Sequence, residues 1–269
     1  MLVSTPALVL QARKQGETSK IVTLYSEQFG KVSVIAKGAR EIKSKFGGAL
    51  ESFALINAVF YHKKERPGLY LLAKADVVRS HSGILLSLER IQRASNVAEI
   101  ILRTMHDEEA NQQLFDLLVS TFGELSLAEA APSVDPILLW FLLRFSEMSG
   151  FQLSMEPTDH DQRGPRIRHL FRVKTGEFIQ VLEPEFDARE DHFPQVSSQS
   201  SIDANMISVL PESRAALGYL ENATIEKVRS LRISERAFNN LSEIFSAFLA
   251  EHFTGMQSRS LKSMRMDRG

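Results

Sequence analysis

The stretch GETSKIVTLYSEQFGKVSVIAKGAREIKSKFGGALESF, residues 16–53, decides the fold of this chain. Two runs within it, residues 20–26 and 31–37, are rich in the β-branched and aromatic side chains that strands favour. Gln28-Phe29-Gly30 marks a turn between them. The basic segment GAREIKSKFGG, residues 38–48, follows as a longer connection. The stretch therefore predicts two short strands joined by a turn and then a long loop.

Three further strands are expected around this stretch, at residues 7–13, 53–61 and 69–78. Gly16 and Arg66-Pro67-Gly68 mark the turns that bound them. Five short strands with a long third connection are typical of the OB-fold, a partly open β-barrel that binds ligands with its first-to-second and fourth-to-fifth loops. Those loops are KQGETSK (residues 14–20) and HKKERPG (residues 62–68), and both are basic.

The remainder of the chain is mainly helical in its pattern. Apolar residues recur at helical spacing over residues 84–105, after Ser80 and Ser82 as candidate caps, and over residues 114–122. Asp135-Pro136 is a typical helix start. A hairpin is expected to turn near Thr175-Gly176, and a last amphipathic helix to run from Ser234 to Gly255. The predicted fold class is α+β: an OB-fold domain over residues 1–80, a helical domain with a small β-hairpin insertion over 81–255, and a basic tail over 256–269.

Charge divides the chain in the same place. The formal net charge is −1, but residues 1–80 hold 13 basic and six acidic residues, a net of +7, which leaves −8 for the rest. Such asymmetry points to a domain that faces a polyanion. The candidate DNA contacts lie in or beside the predicted binding loops and the third connection: Arg13, Lys14, Lys20, Lys37, Arg40, Lys43, Lys45, Tyr61, Lys63, Lys64 and Arg66.

Several function classes lack a motif here. The chain has no cysteine, which excludes disulfides, thiol nucleophiles and Cys-ligated metals. No phosphate-binding G-x-x-x-x-G-K-[ST] or G-x-S-x-G sequence occurs, and the seven histidines show no i, i+4 pair. The acidic run at residues 106–109 is typical of solvated caps at a helix junction. We therefore expect a protein that is not an enzyme, without a cofactor, a metal or a membrane span, located in the cytoplasm.

A family resemblance rests on the elements GET..IVTL, FGK, AKGAR and KSKFGGALE of residues 16–53, and on the closing segment HFTGMQSRSLKSM, residues 252–264. The chain resembles the bacterial recombination mediators of the RecO family at both ends. The resemblance implies an OB-fold followed by a helical domain, and binding of single- and double-stranded DNA. It also implies annealing of strands coated by single-strand-binding protein, and RecA loading together with RecR.

One departure from the family concerns zinc. Many relatives carry a four-cysteine zinc module that begins with G-[FY]-x-P-x-L-x-x-C, and residues 150–158 align with that entry while placing Thr158 at the cysteine position. We expect a metal-free remnant of the module near residues 150–185.

Alternatives to a DNA-binding mediator remain at this stage. An OB barrel serves RNA as well as DNA, and a basic domain is also suited to contact an acidic protein as a structural adaptor. Stacking surfaces are needed for an unordered strand, and Tyr61 is the preferred candidate among Tyr25, Tyr61, Tyr70 and Phe46. In the helical part, a groove with Arg144 or nearby arginines at its rim is a hypothetical receptor for the acidic C-terminal tail of single-strand-binding protein.

Overall fold

The computed structural model describes residues 1–63, 68–128, 134–151, 167–182 and 205–253. Residue contacts divide the chain into two compact units. The first comprises Met1–Phe141 with Ile225–Arg232, and the second comprises Leu142–Thr224 with Ile233–Gly269. The predicted boundaries at residues 80 and 255 stay predictions, and the predicted basic tail at residues 256–269 lies outside the described residues.

Five strands form the expected barrel in the first unit. They are β1 (Leu2–Gln15), β2 (Ser19–Ser26), β3 (Gly30–Ala36), β4 (Leu55–Tyr61) and β5 (Leu69–Arg79). Their order is β1-β2-β3-β5-β4, and β4 returns to β1 to close the barrel. Only β3 and β5 pair in parallel. The fold class predicted from the sequence is confirmed.

Alternate apolar side chains of the strands fill the barrel interior. Val22 and Leu24 of β2 and Val32 and Val34 of β3 point inward and are at most 2% exposed. Successive side chains of a strand point to opposite faces, so the residues between them point outward. Phe60 completes this core from β4. The barrel interior is therefore formed by the apolar residues at every second position of these strands.

The strand ends differ from the sequence expectation. β1 begins at Leu2 rather than residue 7, because its first half pairs with β4, where Leu2 faces Tyr61. β4 begins at Leu55 rather than residue 53, because Phe53 has φ +71°, outside the extended region. The peptide of Phe53 is instead held by His81, whose Nδ1 lies 2.8 Å from the Phe53 carbonyl oxygen.

Six α-helices are described: α1 (Leu88–Thr104), α2 (Gln112–Leu127), α3 (Val134–Met148), α4 (Pro211–Asn222), α5 (Ile225–Val228) and α6 (Glu235–His252). The expectation that one helix runs from residue 84 with Ser80 or Ser82 as its cap is wrong. Ser82–Leu86 forms a 3-10 helix, and Ser87 is the N-cap of α1, with its side chain accepting from the Arg90 amide. Ser87 satisfies an amide that the first turn leaves unpaired.

A buried ion pair joins α1 to α3. Asp135 lies in the first turn of α3, at the helix start that the sequence predicts, and its Oδ1 accepts from Arg93 Nε at 2.8 Å. The Arg93 side chain is fully buried and that of Asp135 is 6% exposed. Such a pair fixes one arrangement of two helices, because removal of either partner leaves a buried charge.

The second unit contains the predicted hairpin. Strands β6 (Ile167–Arg172) and β7 (Glu177–Leu182) pair antiparallel, and a short third strand, β8 (Met206–Ser208), adds to the free side of β6. The helix α6 begins as predicted, with the Ser234 side chain accepting from the Ala237 amide. The end predicted at Gly255 lies outside the described residues; α6 ends at His252. The ring of His252 packs on Phe248, and its Nε2 lies 3.1 Å from the Val173 carbonyl oxygen.

Candidate nucleic-acid interface

An open groove of about 610 Å³ lies on the outer face of β3, β5 and β4. Strand pairing explains its floor: Ile35 of β3 faces Leu71 of β5, and Leu71 faces Tyr61 of β4. These outward side chains form one row across three strands, since directly paired residues lie on the same face of a sheet. The residues that line the groove are Ile35, Lys37, Tyr61, Lys63, Leu69, Tyr70 and Leu71.

The groove brings together three of the predicted DNA contacts: Lys37, Tyr61 and Lys63. Tyr61 is 47% exposed, so it is a surface aromatic rather than a core residue. Leu69 and Leu71 are also exposed, at 52% and 37%. Outward apolar residues in a row are unusual on a solvent-facing sheet, where polar residues normally alternate with buried ones. The groove therefore combines an apolar floor, one exposed ring and two cations.

The other stacking candidates are buried. Tyr25 is fully buried, and Tyr70 and Phe46 are each 3% exposed. The hydroxyl of Tyr70 donates to Glu108 Oε1, and burial, with Glu108 beside it, raises the pKa of Tyr70 to about 12. Burial likewise raises the pKa of Tyr25 to about 12. Tyr61 is consequently the exposed aromatic among the four.

A second group of predicted contacts gathers at the turn between β1 and β2. Lys14 and Lys20 are direct cross-strand partners, and Arg13 is the partner of Ile21. The guanidinium of Arg40 donates to the Gly16 carbonyl oxygen at 2.8 Å, and the Arg40 amide donates to the Thr18 carbonyl oxygen. These two bonds tie the long loop after β3 to the β1–β2 turn.

The remaining predicted contacts belong to two loops. Lys43 and Lys45 lie in the long loop between β3 and the 3-10 helix Gly47–Leu50, and Lys45 Nζ is 5.1 Å from the centre of the Phe46 ring. Lys63 is exposed at the end of the described part of the fourth loop. The predicted contacts Lys64 and Arg66 lie outside the described residues.

Ion pairing separates these cations from others in the chain. Within the described residues, the eight predicted cations at positions 13, 14, 20, 37, 40, 43, 45 and 63 form no ion pair with a carboxylate. By contrast, two other lysines form ion pairs: Lys31 Nζ lies 3.3 Å from Asp107 Oδ1, and Lys74 Nζ lies 2.7 Å from Asp76 Oδ2. The predicted contacts thus keep their charge available for an anion.

The acidic run at residues 106–109 is largely exposed, as predicted, but sequence reasoning missed the contacts that it makes with the barrel. Asp107 pairs with Lys31, and the Glu108 amide donates to the Lys31 carbonyl oxygen at 2.9 Å. Glu108 Oε2 lies 3.4 Å from His62 Nε2. A Cβ on Gly30 would lie 2.0 Å from the Glu109 carbonyl oxygen. This segment packs on the barrel beside the groove, and the glycine of the FGK element is the signal for that close approach.

Arg144 contributes to helix packing in the second unit. Its guanidinium pairs with Glu147 at 2.7 Å and donates to the carbonyl oxygens of Leu220 and Glu221 at the end of α4. Carbonyls at a helix C-terminus lack intrahelical donors, so Arg144 satisfies them.

The described parts of the chain contain no group of three or more His, Cys, Asp or Glu side chains arranged to hold a metal ion. Residues 152–166 and 183–204, which include Thr158 and much of the expected zinc-module remnant, lie outside these parts. Across the same described residues, no helix combines the length and the apolar character needed to cross a membrane.

Comparison with known proteins identifies two family models in the chain. Residues 1–81 match the model described as Recombination protein O N terminal, and residues 85–157 match the model described as Recombination protein O C terminal. The first match covers the barrel strands, and the second begins just after them.

Relatives named DNA repair protein RecO align along most of the chain. The protein of Prosthecochloris aestuarii is 32% identical over 252 residues, which cover 94% of this chain and 92% of the relative. That of Clostridium acetobutylicum is 23% identical over 94% of this chain and 93% of the relative. Other alignments are shorter: the Chlorobium phaeobacteroides protein is 36% identical over 158 residues, and this chain spans 59% of its length.

Proposed function

The chain belongs to the RecO family of DNA repair proteins, and from that premise we propose that it is a non-enzymatic recombination mediator that binds single- and double-stranded DNA through its barrel. The observation that carries the proposal is the groove on β3, β5 and β4, which is lined by exposed Tyr61, by apolar side chains that include Leu71, and by Lys37 and Lys63.

In this proposal, the groove holds a single strand. One base stacks on Tyr61, and Leu71 and Ile35 provide apolar contact for its neighbours. Lys37 and Lys63 neutralise phosphates, which releases condensed counterions and supplies affinity without reading sequence. Stacking is also sequence-tolerant, because every base has a flat face. The strand then continues toward Lys14, Lys20 and Arg40, which extend the charged track.

The proposed annealing activity depends on a basic surface that binds phosphates and does not contact the base edges. Two complementary strands repel each other through their phosphates, and a surface of cations screens that repulsion while it leaves the base edges free to pair. No nucleotide hydrolysis is needed. We propose that strands coated by single-strand-binding protein are annealed in this way.

The partner proteins are proposed from the family alone. They are RecR, RecA through RecR, and the acidic C-terminal tail of single-strand-binding protein, with action at the nucleoid. The receptor for the tail is proposed in the helical part of the chain. Because Arg144 already binds Glu147 and the end of α4, other arginines are proposed to receive the tail. Isothermal titration with the tail peptide tests this, and no heat at high micromolar peptide would contradict it.

The stacking role of Tyr61 is tested by Tyr61→Ala. The matched control is Tyr219→Ala, since Tyr219 is 43% exposed on α4. Loss of one stacked base costs about 1 to 3 kcal/mol, which raises Kd about 5- to 150-fold. Fluorescence anisotropy with a labelled single strand measures this, and we expect the control to bind as the unaltered protein does. Equal Kd values for all three proteins would remove Tyr61 from the site.

Annealing is tested with complementary strands precoated with single-strand-binding protein. We expect Lys37→Glu combined with Lys63→Glu to slow annealing strongly, while Lys74→Glu, which alters a lysine paired with Asp76, retains it. Thermal unfolding establishes that each variant is folded. Unchanged annealing in the double variant would contradict the groove as the site, and preferential competition by RNA would favour an RNA-binding function instead.

A further inference from the structure

The long loop after β3 presents one fully exposed apolar side chain. Ile42 has a relative exposure of 105%, above that of every other large apolar residue in the described ranges. Its position is the first corner of a β-turn, which the Ser44 amide closes by donating to the Glu41 carbonyl oxygen at 3.0 Å. Lys43 occupies the second corner. The turn therefore presents a branched apolar group beside a cation.

An isoleucine is a poor choice for this position on folding grounds. Turn corners favour Gly, Pro, Asn, Asp and Ser, each for a local backbone reason, and β-branched side chains are suited to strands. Full exposure also means that Ile42 contributes no burial to the barrel core. A single exposed apolar residue alone needs no explanation, but one at a turn corner among cations departs from local preference, as functional positions do.

The loop is anchored on both sides of this turn. On one side, the backbone and side chain of Arg40 bond to Thr18 and Gly16, and Ala39 packs against the barrel core. On the other side, Phe46 is 3% exposed and belongs to the core. Ile42 is thus four residues from a buried ring and two from a doubly bonded arginine, so the turn has little freedom to fold back.

Charge near the turn suits a polyanion. Lys37, Arg40, Lys43 and Lys45 lie within five residues of Ile42, and none forms an ion pair with a described carboxylate. The one acidic neighbour, Glu41, has its carboxylate near Gly38, where a Cβ would lie 3.3 Å from Oε1. The turn therefore presents an apolar tip within a basic surround.

From these contacts we infer that Ile42 is a wedge that inserts between stacked base pairs of duplex DNA, with Lys43 and its neighbours on the flanking phosphates. The inference rests on the proposed DNA binding and adds a distinct action to it. Aliphatic side chains inserted between base steps unstack them and kink the duplex. An aliphatic tip lacks the flat face on which a single base stacks, which Tyr61 supplies in the groove, so a paired step is its better substrate.

The experiment uses the full chain and a duplex with an internal 2-aminopurine, whose fluorescence rises when the base unstacks. Binding to the same duplex is measured in parallel by anisotropy at low salt. The variants are Ile42→Ala, which removes the wedge, and Ile42→Leu, which keeps an aliphatic tip. The control is Leu86→Ala, because Leu86 is 81% exposed and belongs to a different element, the 3-10 helix Ser82–Leu86.

We expect a fluorescence rise with the unaltered protein, Ile42→Leu and Leu86→Ala. We expect Ile42→Ala to lose most of the rise while its Kd stays within about fivefold, because phosphate contacts supply most of the affinity. Binding without any rise, an unchanged rise in Ile42→Ala, or an equal loss in Leu86→Ala would overturn the wedge and leave the proposed function standing. Absence of DNA binding by the unaltered protein would overturn both.

Discussion

Replacement of Lys20 by glutamine is expected to stabilise the barrel and to weaken DNA binding at the same time. Lys20 of β2 faces Lys14 of β1 directly, near the turn that joins the two strands. Neither lysine forms an ion pair with a described carboxylate. Like charges in direct cross-strand positions are destabilising, so this pair costs stability in the free protein. An anion between the two ammonium groups would relieve that cost.

The magnitudes follow from this geometry. Removal of one like charge from a directly opposed pair should raise the free energy of unfolding by about 0.2 to 1 kcal/mol at low salt. The gain should vanish near 1 M salt, where the Debye length falls to about 3 Å. Loss of one phosphate contact should reduce the slope of log K against log salt by about 0.7 for a single strand. Lys20→Gln should therefore raise the stability of the free protein and lower its affinity for DNA.

Urea unfolding at two salt concentrations and anisotropy titrations at several salt concentrations measure these changes. Lys74→Gln is the control, because Lys74 pairs with Asp76 at 2.7 Å and both side chains are more than half exposed. The control should leave the binding slope unchanged and should not stabilise the barrel. A Lys20→Gln protein that is less stable at low salt, or that keeps the full binding slope, would refute this reasoning.

Two further predictions concern the connections of the barrel. Gly30→Ala should lower the free energy of unfolding by roughly 2 to 5 kcal/mol, because φ is +61° and the Cβ would meet the Glu109 carbonyl oxygen. The control Gly16→Ala, at φ +59° with open space around it, should lower it by only about 1 to 2 kcal/mol. Equal losses in urea unfolding would show that the segment after α1 is not packed on Gly30. Burial lowers the pKa of His81 below its usual range, so His81 is protonated less readily in the folded state than in the unfolded state. The free energy of unfolding should therefore be unaffected by His81 above about pH 6.5, and should decline as the pH falls through that value toward the lowered pKa. Asparagine tolerates the φ of +46° at this position, so the His81→Asn variant should show a smaller decline in stability than the unaltered protein. Thermal unfolding followed from pH 8 to pH 5 measures this decline. An identical pH profile for the two proteins would exclude His81 as its cause.

Much of the barrel was predictable because strand patterns are local. Alternation in residues 20–26 and 31–37 assigns Val22, Leu24, Val32 and Val34 to one face, and that face is the core. The ends of the strands were less accessible to this reasoning. The first half of β1 is extended because β4 pairs with it, and its partner residues lie more than 45 positions away along the chain. A propensity count over neighbouring residues contains no information about such a partner.

The aromatic residues show the same limit within the candidate site. Tyr25 and Tyr61 both lie on strands of the basic domain and both point away from the barrel interior, yet Tyr25 is fully buried and Tyr61 is 47% exposed. The difference arises from the segment after α1, because Glu109 and the Asn111 backbone lie close enough to Tyr25 to affect its pKa. Sequence reasoning had no means to place that segment on β2 and β3.

The sequence by itself determined the barrel interior, the uneven division of charge between residues 1–80 and the rest, and the supply of cations without cysteine or a catalytic motif. These properties depend on residue type and short spacing, which are read along the chain. Only the tertiary structure decided that Lys37, Tyr61 and Lys63 line one groove, that Lys14 opposes Lys20, and that Ile42 projects alone from an anchored turn. Those relations depend on barrel closure and on the parallel pairing of β3 with β5, because a ligand meets the residues that share a surface rather than those that share a segment.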